Sequence, residues 1–285
     1  MKKAIWFVTG ASKGLGKTLV KKLLDSDYRV AATSRFASGL IEIFGKESDI
    51  FLPLEVQLTD RQSVMQAVSK VEKKWGGIDV LVNNAGYGQF GAVEEVSDRE
   101  ARNNFDINLF GLLNVTRAVL PSMRAQKSGN IFNISSAGGF VGGFPGAGIY
   151  CATKFAVAGM SEGLHAELSP LGIHVTIIYP GYFRTSFLSQ KSITIPQKTI
   201  DDYETAKTLT ESHANDIHGN QPGDPEKAAE TIINIVEEDA AAPLHLFLGS
   251  DAYKLAKKKL IEIDAALEQY KVLTFSTDFD AKANS

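Results

Sequence analysis

Short apolar runs recur along the chain at Ile5–Val8, Arg29–Thr33, Ile50–Leu54, Val80–Val82, Asn130–Ile134, Val175–Tyr179 and Leu244–Leu248. Between them, apolar positions fall three and four apart, which predicts helices over about 15–26, 61–75, 98–125, 151–169, 225–238 and 251–270. A strand that is apolar throughout, rather than at alternate positions, is one buried on both faces, and crossover helices are what cover it. The pattern predicts a doubly wound (Rossmann) α/β fold: a seven-stranded parallel sheet in a single domain, residues 1–273. Residues 186–224 break the rhythm, with mixed polarity, Pro196 and a turn-rich exit at Gly219-Asn220-Gln221-Pro222-Gly223-Asp224-Pro225. This segment is too long for a connector and follows the sixth strand's C-terminal end, so it is expected to be a substrate-covering lid. Residues 274–285 are small and polar and are expected to form a loose tail.

The first strand runs into Thr9-Gly10-Ala11-Ser12-Lys13-Gly14-Leu15-Gly16 and then a helical pattern. Three glycines in a strand-to-helix turn let the backbone approach a pyrophosphate, while free N–H groups and the positive helix end attract it. Ala11 to Thr18 also loosely matches a nucleoside-triphosphate loop. That reading needs a carboxylate at the end of another strand to organise Mg²⁺, yet those ends carry Asn83-Asn84 and Ser135-Ser136. The second strand ends in Ser34-Arg35, where a NAD-selective site would place an acid against the ribose hydroxyls. Arg35 can instead pair with a 2′-phosphate, with Lys13 as a second cation, so the expected cofactor is NADP(H).

Tyr150 and Lys154 lie four apart at the start of a predicted helix and so share a face. A neighbouring ammonium favours phenolate and would bring a tyrosine, ordinarily near pKa 10, into the range of acid/base work. Tyr150 would then donate to a carbonyl oxygen. Ser136, at the end of the fifth strand, is placed to hydrogen-bond that oxygen, with Ser135 as the alternative. The amides of Asn83-Asn84 can fix neighbouring backbone, and Ala85 and Gly86 leave room for a cofactor. Asn108 falls mid-helix, where asparagine is a poor former unless its amide is used; it could hold a water that relays protons to the lysine.

Together these segments resemble the short-chain dehydrogenase/reductase family over about 250 residues. The resemblance implies an NADP(H)-dependent oxidoreductase interconverting a carbonyl compound and an alcohol. It implies Asn108, Ser136, Tyr150 and Lys154 as a catalytic tetrad, with Tyr150 and Lys154 also against the cofactor and Lys154 on the nicotinamide ribose. Gly10, Gly14 and Gly16, with Ser12, Lys13 and Leu15 in the same turn, would line the pyrophosphate, and Asn84, with Ala85 and Gly86, the adenine side. Pro180 and Gly181 match a family turn in which Thr185 would bond the carboxamide. In two places the chain departs from the family: Ser136 precedes Tyr150 by 14 positions, one more than is common, and Gln57 stands where an aspartate often contacts adenine.

Phe90, Phe140, Val141, Phe144, Tyr182, Phe183, Phe187 and Leu188 are expected to rim the pocket, which suits an apolar ketone or secondary alcohol. The net charge of −3, with signs interspersed, provides no basic field for nucleic acid or an anionic membrane. The five histidines are scattered, so no metal is expected. One cysteine, Cys151, and an N-terminal apolar run too short for a signal peptide suit the cytoplasm. The long helices at 98–125 and 151–169 imply, through the family, a homodimer or homotetramer. A rival from another class is a non-catalytic NADP(H)-sensing or scaffold protein, for which Tyr150 and Lys154 would be free to vary.

Overall fold

The computed structural model describes residues 3–189, 192–213, 217, 219–238 and 242–279. Seven parallel strands form one sheet in the order β3-β2-β1-β4-β6-β7-β9. They are β1 (Ile5–Val8), β2 (Arg29–Ser34), β3 (Phe51–Glu55), β4 (Val80–Asn83), β6 (Gly129–Ile134), β7 (Ile173–Pro180) and β9 (His245–Leu248). Each sequence-predicted strand is present within two residues.

Alternation along β1 shows why its run is apolar throughout. Trp6 and Val8 point to one face, against Leu19, Val20 and Leu23 of α1 (Gly14–Asp25) and Ile232 and Ile233 of α8 (Pro225–Glu237). Ile5 and Phe7 point to the other, against Val64, Val68 and Val71 of α3 (Arg61–Trp75) and Val115, Val119 and Met123 of α5 (Leu112–Gln126). Both faces are dry, so a polar residue in β1 would lack water on either side. Pro53 is tolerated because β3 is an edge strand paired only with β2.

Helix starts follow local chemistry. Asp60 accepts from Gln62 N ahead of α3, and Asp224 accepts from Glu226 N ahead of α8, where Pro225 takes the first turn. Ser97 and Glu100 form a reciprocal capping box at α4 (Asp98–Phe105). The single helix expected over 98–125 contains a π-helical segment at Asp106–Gly111 before α5 continues. A short helix not anticipated, α2 (Ala37–Phe44), follows β2.

The 186–224 insertion is folded where it is described. β8 (Ile193–Thr194) pairs with β5 (Gly88–Gln89), and α7 (Glu204–Ser212) follows a 3₁₀ turn. Residues 190, 191, 214–216 and 218 of this segment lie outside the described residues. After α9 (Ser250–Gln269), a short α10 runs Lys271–Phe275 and so reaches two residues into the segment expected as a tail, of which residues 280–285 lie outside the described set. No described helix is long and apolar enough to cross a membrane.

Candidate functional site

Sheet order reverses between β1 and β4, and in open α/β sheets the crevice at such a point, beyond the strands' C-terminal ends, is where ligands bind. A cleft of about 600 Å³ lies there. Its floor is the glycine turn. Gly10 and Gly14 have φ of +65° and +59°, which only glycine adopts cheaply. A Cβ on Gly10 would sit 2.7 Å from Ala85 Cα, and one on Gly16 would sit 2.4 Å from Asn84 Nδ2 and 2.7 Å from Gly10 O. Asn84 Nδ2 donates to Thr9 O (2.9 Å) and Gly10 O (3.1 Å), while Thr9 Oγ1 accepts from Asn84 N and Ala85 N, both at 3.0 Å. Asn84 thus braces the turn from below, and its amide protons are committed to backbone rather than held toward adenine. The α1 N-terminus has no side-chain cap and no acid in its first turn, so its N–H groups face the cleft with their positive end unneutralised. A pyrophosphate fits that chemistry.

At the far end, Thr33, Ser34, Arg35, Val56, Gln57 and Leu58 line the cleft. Arg35 is exposed there. Lys13 Nζ donates to Ser192 Oγ at 2.8 Å, reaching from the glycine turn to the insertion. Burial, then the nearby Arg35, lowers the Lys13 pKa from its ordinary 10.5. Two cations held this close favour an anionic guest, and a 2′-phosphate fits them.

Between these ends stands the group that the sequence singled out. Tyr150 and Lys154, both buried, project from one face of α6 (Gly148–Leu168), with Lys154 Nζ 5.9 Å from the Tyr150 ring centroid. Lys154 Nζ donates to Ile134 O at 2.8 Å. Ser136 accepts from Gly138 N (3.0 Å) and lines the same cleft as the Tyr150 phenol. Ser135 instead donates to Lys154 O at 2.9 Å. Ser136 leads into a 3₁₀ turn at Ala137–Gly139, where a Cβ on Gly139 would lie 2.2 Å from Ser135 Oγ.

The expected effect of Lys154 on Tyr150 is not what this arrangement produces. Burial drives the phenol well above its ordinary 10.0, Ser136 pulling the other way, and burial lowers Lys154 from 10.5 to about 8. Both groups are desolvated together, and the low dielectric penalises each charge more than their separation repays. Asn108 is buried and tied to its neighbours. Its Nδ2 donates to Tyr87 O (3.1 Å) and Thr153 Oγ1 (3.0 Å), and its Oδ1 accepts from Tyr87 N (3.0 Å), so both amide protons are already committed. It is nonetheless near the lysine, since a Cβ on Gly86 would lie 3.0 Å from Asn108 Oδ1 and 3.5 Å from Lys154 Nζ.

The turn after β7 closes the cleft. Gly181 N donates to Leu248 O (2.9 Å), Asp251 Oδ2 accepts from Tyr182 N (2.7 Å), and Thr185 lies over the glycine turn, its Cβ 3.8 Å from where a Gly14 Cβ would be. Of the expected rim, Phe90, Phe144, Tyr182, Phe183, Phe187 and Leu188 line the cleft. Phe140 and Val141 do not. Phe140 packs beneath, edge-on to Tyr179 and Phe247 at 5.9 and 5.2 Å. Among the liners that sequence reasoning missed are His213 of the insertion and Asp251 and Leu255 of α9. No local motif marks them, because they reach the cleft only through tertiary packing.

Among proteins of known sequence, the chain is 38% identical over 241 residues to the 3-ketodihydrosphingosine reductase of Bacteroides thetaiotaomicron, covering 83% of this chain and 84% of that one. Among solved structures, a short-chain dehydrogenase from Streptomyces avermitilis superposes with a TM-score of 0.86 at 34% identity, over 96% of this chain and all of the other. A short-chain dehydrogenase from Burkholderia cenocepacia, in complex with NADP, superposes with a TM-score of 0.71 at 26% identity, over 94% of this chain and 97% of the other. The sequence pattern of the short chain dehydrogenases matches residues 4–195, so the chain belongs to that family.

Proposed function

We propose that the protein is an NADP(H)-dependent reductase of apolar ketones or aldehydes, acting reversibly on the corresponding alcohols. The observation that carries the reading is one buried phenol, Tyr150, backed by Lys154 and lining, with Ser136, the cleft that begins at the glycine turn. When bound, the nicotinamide supplies the hydride for the carbonyl carbon. Gly10, Ser12, Lys13, Gly14, Leu15 and Gly16 would hold its pyrophosphate, Arg35 and Lys13 its 2′-phosphate, and Pro180, Gly181 and Thr185 the nicotinamide end.

The chain's own groups supply the proton. Burial keeps Tyr150 protonated at neutral pH, the form in which it can donate to a carbonyl oxygen as negative charge develops there. Ser136, lining the same cleft, would steady that oxygen. Lys154, with a pKa near 8, still carries its proton at neutral pH and stabilises the phenolate that remains. Aromatic walls exclude water, and residues 186–224 serve as the lid. The unpaired, buried Cys151 is compatible with the reducing cytoplasm expected from sequence.

A fluorescence titration with NADPH and NADH, followed by a screen of apolar ketones with wild type and Tyr150→Phe, tests the reading. NADPH preference with turnover lost in the variant is expected. Tight NADPH binding without turnover of any carbonyl compound would favour a sensor instead.

A further inference from the structure

Opposite Tyr150, the cleft contains a polar pair that the reductase reading leaves unused. His213 follows α7 in the insertion and is 4% exposed. Its Nδ1 lies 2.8 Å from Leu209 O, a group that can only accept, so Nδ1 carries the ring proton. Burial holds the ring below its ordinary 6.5, which keeps it neutral and leaves Nε2 as an acceptor. Tyr182 Oη stands 2.8 Å from Nε2 and must therefore donate its one proton to His213. What remains on Tyr182 is lone-pair capacity, made more basic by the bond just given. Among the described hydrogen bonds none donates to Tyr182 Oη.

This acceptor sits beside the apolar and aromatic part of the wall. Phe90, Phe144, Phe187 and Leu188 line the same cleft. It is also close to the chemistry. His213 packs 5.1 Å from the Phe90 ring, which stacks 6.0 Å from that of Tyr150, and Tyr182 lines the same cleft as Tyr150. A few placed polar groups in an apolar pocket are what orient a ligand and discriminate among candidates.

Resting on the proposed reductase activity, we infer that Tyr182, oriented by His213, reads a hydrogen-bond donor on the substrate: the preferred ketone bears a hydroxyl or amine beside its carbonyl. A ketone with only alkyl neighbours leaves that oxygen dry and unpaired, whereas a donor fills it. The pair makes the opposite prediction for an acceptor such as an ether, because Tyr182 has no proton left to offer.

The test is steady-state kinetics with NADPH on octan-3-one, 1-hydroxyoctan-3-one, 2-hydroxyoctan-3-one and 1-methoxyoctan-3-one, using wild type, Tyr182→Phe and His213→Leu. NADPH titration serves as the check that each variant is folded. Wild type is expected to favour at least one hydroxyketone over octan-3-one by about tenfold or more in kcat/KM, and Tyr182→Phe to bring that ratio near one. His213→Leu releases the Tyr182 proton, so the methoxyketone should gain on octan-3-one relative to wild type. A hydroxyketone ratio unchanged in Tyr182→Phe, or variants that lower all four substrates equally, would show a latch holding the insertion and overturn the inference. Wild type that turns over octan-3-one with no hydroxyketone preference removes this inference alone; wild type that reduces no ketone at all removes the reductase reading and this inference with it.

Discussion

Lys154→Met should make the protein more stable at neutral pH while destroying its activity. In the folded chain the Lys154 ammonium gives up its proton near pH 8, whereas its ordinary value is 10.5. Above about pH 10.5 the lysine is neutral in both states and costs nothing. As pH falls from there to about 8, the unfolded chain takes up a proton that the folded chain refuses, and stability drops; below that it levels off. The gap corresponds to about 3 kcal/mol. Methionine fills the same space without the charge but loses the 2.8 Å bond to Ile134 O, which costs about 1 kcal/mol. The net expectation at pH 7 is about 2 kcal/mol of stabilisation, and at roughly 2 cal/mol/K of unfolding entropy per residue that raises Tm by about 3 °C. The assay is thermal unfolding by circular dichroism without cofactor, at pH 7 and pH 10. The gain should vanish or reverse at the higher pH. A Tm that falls at pH 7, or a shift equal at both pH values, would refute the reasoning. With saturating NADPH the order should narrow, since wild type gains binding energy that the variant lacks.

Arg35→Ser should weaken NADPH by about 10- to 100-fold and leave NADH nearly unchanged, read by fluorescence titration; equal losses would remove Arg35 from the 2′-phosphate. Gly16→Ala places a Cβ 2.4 Å from Asn84 Nδ2 and should cost about 1–3 kcal/mol in urea unfolding along with measurable NADPH binding. Retained affinity would mean that the turn can give way. Ending the chain after Tyr270 should move Tm by less than about 1 °C, because Val272, Leu273, Phe275 and Phe279 are 62% or more exposed. A larger loss would reveal contacts made by the chain's end.

The strands were legible because burial on both faces leaves short, mostly apolar runs, and the helices because their apolar positions recur three and four apart; Asp60, Ser97 and Asp224 cap three of them. What escaped notice has physical reasons. In α2 only Leu40 is buried, so no stripe forms, and the two-residue strands β5 and β8 are too short for any period. The π segment at Asp106–Gly111 differs from its flanks in hydrogen bonding rather than in composition. In the cleft, the glycine turn and the Tyr150–Lys154 pair are readable because each lies within one local element. His213, Asp251 and Leu255 converge on the cleft from segments separate from that pair. The pKa expectation missed because spacing on a helix shows which groups are neighbours but not how little water surrounds them.

The bond from Tyr182 N to Asp251 spans 69 residues of sequence, and this gives the site a birth order. The phosphate cradle is encoded within the first sixteen residues, yet the turn that closes the other end is held by a helix that begins at Ser250. At a synthesis rate of about 5–20 residues per second, the interval between making Pro180–Gly181 and making its brace is on the order of ten seconds. A nascent chain halted before Asp251 has the glycine turn but not the bond that holds Tyr182 N, and so, on the proposed reading, no fixed place for the reacting ring. On that reading, cofactor loading waits for α9, the helix that supplies Asp251.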